Sequence, residues 1–188
     1  MQSGQSAIAN IIQQIRTEHA AVPQQVYIVG IDGGGGAGKS TLAKYLSKLL
    51  NETTIVHVDD FISGANPLPD WWKRINVEVL EPLSEGQRAS YLAYNRQTHV
   101  QDHRYFVEPQ GIVILEGFGS LRPEYRAYLN FSIWIQASEA IRFERGLERH
   151  HEGRAQWTKW LKSDQAYVEM TQPDKAADII IDGTKSYL

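Results

Sequence analysis

The sequence predicts an α/β fold with a mainly parallel sheet, and three observations predict it. Short apolar runs recur at residues 26–31, 54–58, 111–115, 131–135 and 178–181. The stretches between them carry helical spacing, and strands that alternate with helices define parallel α/β architecture. The first run is also apolar at almost every position (Val26-Tyr27-Ile28-Val29-Gly30-Ile31), which is how a strand covered on both faces reads.

Taken in order, the chain opens with Ile8, Ile11, Ile12 and Ile15 at i, i+3, i+4 and i+7, one face of an amphipathic helix over residues 1–22 that Pro23 closes. This helix reads as an addition ahead of the first strand. After the strand come a glycine cluster and a helix pattern at Leu42, Tyr45, Leu46, Leu49 and Leu50. Further helices are predicted over 70–83, with Gly86 as its stop, and over 123–129, 138–150 and 155–170. Residues 91–107 read as strands or loop. No internal repeat appears, so the 188 residues are expected to form one domain.

Composition narrows the class of function. Nineteen Lys and Arg against 22 Asp and Glu leave a net charge of −3, which argues against a nucleic-acid partner or a polybasic membrane anchor. Any anion must be held by local clusters. Hydrophobic residues make up 42% and charged residues 22%, enough to bury a core and too little charge for disorder. The absence of cysteine excludes disulfides, thiolate metal sites and thiol nucleophiles. No apolar run approaches a membrane span, and the polar start lacks the layout of a secretion signal. A cytoplasmic protein without a membrane partner is expected; a homo-oligomer stays open.

The decisive motif is Gly33-Gly34-Gly35-Gly36-Ala37-Gly38-Lys39-Ser40, followed by Thr41, which fits G-x-x-x-x-G-K-[ST] between a strand and a helix. Glycines reach backbone angles closed to other residues, so successive N–H groups can converge on phosphate oxygens, helped by the positive end of the helix. Lys39 is expected on the β- and γ-phosphates of ATP, and the Ser40 hydroxyl on Mg²⁺. Asp59 and Asp60 end the second strand run, and Glu116 ends the run Ile112 to Leu115. Sites in open α/β sheets lie at the carboxyl ends of strands, and a carboxylate there can hold Mg²⁺ or accept a proton from an attacking hydroxyl. The competing reading is that such residues cap the turns that follow.

Gly30 through Thr41, then Val58-Asp59-Asp60-Phe61, then Ile114-Leu115-Glu116-Gly117 resemble, in order and spacing, the three main signatures of the uridine kinase and phosphoribulokinase group of P-loop kinases. The resemblance spans about residues 26–182. It implies a three-layer P-loop fold with a short Arg-rich lid, and transfer of the ATP γ-phosphate to a hydroxyl of a small molecule. It also implies that Asp59 serves as the base and that Ser40, Asp59 and Glu116 serve the metal. Tyr94-Asn95-Arg96-Gln97-Thr98-His99 is similar to the nucleobase signature of uridine kinases, with Asn95 in place of Asp; Tyr94 and His99 would then contact the base. Two ordinary hairpin residues are the alternative.

Three features depart from the pattern. Ile62 stands where those enzymes carry Tyr, Leu68 precedes Pro69-Asp70 where the ribose-binding Asp is expected, and Trp71-Trp72 is unusual. Asp70 or Arg74 is the candidate replacement for the ribose contact. A kinase for another acceptor, such as a different nucleoside, a vitamin precursor or a sugar phosphate, therefore stays open, as does a nucleotide-binding switch. A guanine-reading switch would need Asn-Lys-x-Asp, which does not occur.

Arg142, Arg145 and Arg149 recur at i, i+3 and i+7 with Arg154 beyond, and Arg142-Phe143-Glu144-Arg145 resembles the start of the family's lid, over about 142–156. Arg142 and Arg145 are the candidates for stabilising the transferred phosphoryl group; a solvated face paired to Glu144, Glu148 and Glu152 is the bland alternative. Leu83-Ser84-Glu85-Gly86-Gln87 superficially matches the transporter-ATPase signature but follows Lys39 too closely. The pairs His99/His103 and His150/His151 lack a third ligand for a metal. Trp157, Trp160, Leu161, Asp164 and Tyr167 share a helix face that reads as a packed stripe.

Overall fold

The computed structural model describes residues 4–22, 25–62, 71–95, 97–149 and 154–185. A sheet of five parallel strands has the order β2-β5-β1-β6-β7, with β1 (Tyr27–Asp32) at its centre. β2 (Thr53–His57) and β5 (Ile112–Glu116) lie to one side, and β6 (Phe131–Gln136) and β7 (Ile179–Asp182) to the other. Each strand lies within about two residues of its predicted run. Every residue of β1 and β5 is buried, which accounts for their unbroken apolar sequence.

Side-chain alternation along these strands builds two cores. Tyr27, Val29, Ile31, Ile112 and Ile114 face one, where α1 (Gly4–Ala21) inserts Ile8, Ile11, Ile12 and Ile15, and α2 (Lys39–Leu49) inserts Leu42, Ala43 and Leu46. Ile28, Val113 and Leu115 face the other, against Phe61, Ile75, Val79, Leu80, Leu83 and Tyr125. The helix α1 is thus packed into the layer that covers β1.

Sequence expectation and structure differ in two elements, and the strands expected within residues 91–107 form. The helix predicted over 70–83 forms as α3 (Trp71–Ile75), a π-helical stretch (Asn76–Leu80) and α4 (Glu81–Ser84), and Gly86, at φ 70°, ends it. The helix predicted over 123–129 shrinks to a 3-10 turn, Pro123–Tyr125, followed by i to i+3 bonds from Tyr128 to Tyr125 and from Leu129 to Arg126. That tighter winding brings Leu129 against Gly30, where a Cβ would lie 2.9 Å from Leu129 Cδ1. Residues 91–107 form a hairpin, β3 (Ala89–Asn95) and β4 (Val100–Val107), outside the main sheet and with a register break at Ala93/Tyr94. The chain continues through α5 (Glu139–Arg149), α6 (Arg154–Thr171) and the short α7 (Pro173–Ala176).

Candidate active site

The phosphate loop leaves the carboxyl end of the central strand. Asp32, the last residue of β1, is fully buried and accepts hydrogen bonds at Oδ1 from the N–H groups of Gly33 (2.7 Å) and Gly119 (3.1 Å). Oδ2 accepts from Leu121 N–H (3.0 Å) and the Tyr167 hydroxyl (2.7 Å). Burial raises the Asp32 carboxyl above its ordinary range, and these donors with Lys39 pull against that rise. One side chain thereby ties the start of the loop, the turn after β5 and α6 together.

Beyond it the loop turns through Gly36 (φ 77°) and Gly38 (φ 107°), the left-handed region that L side chains avoid. A Cβ on Gly36 would meet the Arg142 carbonyl oxygen at 2.5 Å, so glycine is demanded by space as well. The Lys39 ammonium donates to the carbonyls of Gly33 (2.8 Å) and Gly34 (3.1 Å), which lays its stem across the loop. Ala37 is buried beneath, and Ser40 and Thr41 open α2 at the exposed side.

Sheet register aligns the next group. Glu116 pairs with Ile31 on β1 and with His57 on β2, so the ends of three strands stand in one row. The Ser40 hydroxyl donates to the Glu116 carboxylate (3.1 and 3.2 Å), and His57 Nδ1 lies 2.5 Å from Glu116 Oε1. The hydrogen bond to Glu116 raises the His57 pKa, against a lowering by burial. The 3-10 turn Val58–Phe61 follows β2 and leaves Asp59 exposed. Asp60 is half-buried, which raises its pKa, and it accepts from the Tyr91 hydroxyl (3.1 Å). Ser40 and Glu116 supply a hydroxyl and a carboxylate in contact, and Asp59 offers a second carboxylate from the turn after β2; hard oxygen donors of this kind suit Mg²⁺.

An aromatic wall rises beside Asp60. Tyr91 lies 4.6 Å from Phe61 and 5.4 Å from Tyr105, ring centre to ring centre. Arg74 sits over Phe61 at 5.2 Å and spends most of its donors internally, on Glu78 (2.7 and 2.9 Å) and the Leu92 carbonyl (3.1 Å), so it ties α3 to the hairpin. Asp70 lies outside the described residues. Tyr94 and His99 meet each other at the hairpin tip, hydroxyl to Nδ1, at 3.0 Å.

From the other side come the arginines. Arg142 Nη1 lies over Gly34, where a Cβ would approach it to 1.8 Å, and Arg145 Nη1 donates to the carbonyls of Gly183 (2.8 Å) and Gly36 (3.4 Å). Both reach the phosphate loop, and Arg142 pairs with Asp164 at 2.6 Å; the side chain of Arg149 lies outside the described residues. Trp157, Leu161, Asp164 and Tyr167 are buried, as a packed stripe requires. Among the described residues no group of three or more His, Asp and Glu is gathered to hold a metal ion, and no helix is long and apolar enough to cross a membrane.

Four contributors escaped the sequence reading in these roles: Asp32, His57, Tyr91 and Asp164. A signal existed for two of them. His57 interrupts an apolar strand two residues before Asp59, and Asp164 is a charge set within an apolar helical stripe.

A glycine-rich loop between a buried strand and a helix, with a Lys and a Ser at its end and a carboxylate on the neighbouring strand, defines a P-loop nucleotide-binding protein. The chain belongs to the AAA domain family, which matches residues 29–170. It is 27% identical to a uridine kinase of Borrelia duttonii, with 83% of this chain and 86% of that protein covered. It is also 27% identical to the phosphoribulokinase of Synechocystis, covering 66% of this chain and 42% of that longer protein. Among solved structures, one described as "a Possible Uridine Kinase" from Bacillus stearothermophilus has the same fold. Its TM-score is 0.64 at 19% identity, over 92% of this chain and 100% of that one.

Proposed function

We propose that the protein is an ATP-dependent kinase that transfers the γ-phosphate to a hydroxyl of a small molecule, with uridine or cytidine the leading acceptor. The observation that carries this reading is the single row at the sheet edge, where Ser40, Glu116 and His57 stand together beside the phosphate loop with Asp59 on the turn that follows. The names of the relatives support it.

In this reading the loop amides and Lys39 hold the ATP phosphates, and the acceptor binds beside Asp59, with the buried Phe61 and Tyr91 packed behind the site. The acceptor oxygen bonds to the γ-phosphorus as the bond to the β-phosphate oxygen breaks; Asp59 takes the hydroxyl proton and ADP leaves. Arg142 and Arg145 stabilise the charge on the equatorial oxygens. Ser40, Glu116 and Asp59 would hold Mg²⁺, which when bound neutralises phosphate charge. Holding the acceptor in line is itself worth several powers of ten in rate, about 7–11 kcal/mol at the upper limit.

A second acceptor class is favoured by Ile62 and by Trp71 and Trp72, the latter anchored through its carbonyl to the Tyr125 hydroxyl (2.8 Å) and covered by Arg122 at 5.0 Å. Coupled ADP release from ATP and Mg²⁺, measured against nucleosides, vitamin precursors and sugar phosphates, separates the readings. Stimulation by uridine or cytidine alone assigns Tyr94 and His99 to the base. Stimulation by another acceptor keeps the kinase and removes that assignment, and turnover independent of every acceptor overturns the kinase reading.

A further inference from the structure

Helix α6 lays a buried carboxylate on the phosphate loop. Asp164 is 7% exposed and lies on the same stripe as Trp157, Leu161 and Tyr167, a costly place for a charge unless it is paired. Its Oδ2 accepts two hydrogen bonds, from the Gly35 N–H (2.8 Å) and from Arg142 Nη1 (2.6 Å). A loop amide and a planar guanidinium converging on one anionic oxygen are the donors a phosphoryl oxygen would take. The stripe is seated firmly: the Trp157 ring would lie 3.2 Å from a Cβ on Gly35, and the Tyr167 hydroxyl donates to Asp32.

We propose that Asp164 is an internal stand-in for a ligand phosphate, which occupies the loop and holds Arg142 above it until nucleotide displaces it. The proposal rests on the reading that nucleotide binds at this loop. Gly35 has one N–H proton, and two anionic oxygens cannot share its position, so phosphate and Asp164 exclude each other there. Ligand entry then lifts Asp164 and Trp157 away from the loop. Arg142, anchored on α5 rather than α6, stays over Gly34 and exchanges the carboxylate for phosphate. Affinity for nucleotide is reduced by the fraction of molecules in which the carboxylate is seated.

The test is calorimetric titration of the full chain with ADP and with ATP plus Mg²⁺, comparing native protein with Asp164→Asn, which keeps the shape and removes the charge. Kd for ATP is expected to fall about tenfold in the variant. Hydrogen exchange on the native chain is read in parallel, because it needs no substitution: saturating ADP is expected to speed exchange in α6 while slowing it in residues 33–40. Equal or weaker binding by a folded Asp164→Asn, or α6 amides that gain protection with ADP, would overturn the displacement while leaving the nucleotide reading intact. If neither protein binds ATP or ADP, the nucleotide reading falls and this proposal with it.

Discussion

Asp32 and Asp59 stand in opposite surroundings at one candidate site. Asp32 is wholly buried and accepts four hydrogen bonds, three from backbone N–H groups and one from Tyr167. Asp32→Asn would turn one acceptor into a donor facing N–H groups that have no other use for it. Unfolding by urea should show a loss of about 3 kcal/mol, with ATP affinity falling as the loop loses its anchor. Asp59 by contrast is exposed at the mouth of the site. Asp59→Asn should lower kcat about 10²–10⁴-fold and leave affinity for metal-free ATP within about twofold, as steady-state kinetics and titration would report; an active variant would remove Asp59 as the base.

At the scale of elements, packing overrides what propensity alone would suggest. Gly146 sits within α5, where alanine should favour the helix by about 1 kcal/mol. A Cβ there would lie 2.2 Å from Trp157 Cζ2 on α6, however, and overpacking of that kind costs about 1–3 kcal/mol. Gly146→Ala should therefore lower the melting temperature, and an increase would show that α6 yields freely. Ile15 of α1 has no exposed surface and meets the core of β1 and β5. Ile15→Ala should cost about 2–5 kcal/mol in denaturant unfolding, the value for a core position; a loss below about 1 kcal/mol would make α1 a loosely attached element.

For the whole molecule, the order β2-β5-β1-β6-β7 places the loop after β1, with β5 and β2 on one side and α5 and α6 reaching over it from the other. Nucleotide bound at the loop would bind the folded state alone and so stabilise it. At a concentration about 100 times its Kd, nucleotide should add about 2.7 kcal/mol and raise the melting temperature by about 5–10 °C. Lys39→Ala should abolish most of that rise in a thermal melt with Mg²⁺ and ATP, and an undiminished rise would place the nucleotide elsewhere.

How much of this was legible follows from how each feature is encoded. The parallel α/β class, the central strands and the phosphate loop can be read from the order of residues, because strands buried on both faces must be apolar throughout and because the loop's residues are contiguous. The same order also placed Asp59 and Glu116 at strand ends. Tertiary structure alone decided that Glu116 stands between Ser40 and His57, 76 and 59 residues away, since strand register sets that meeting. It alone set Asp164 on Gly35 across 129 residues of chain. Local spacing shows which residues share a face, but the partner of that face is chosen by packing, and packing is a property of the folded chain.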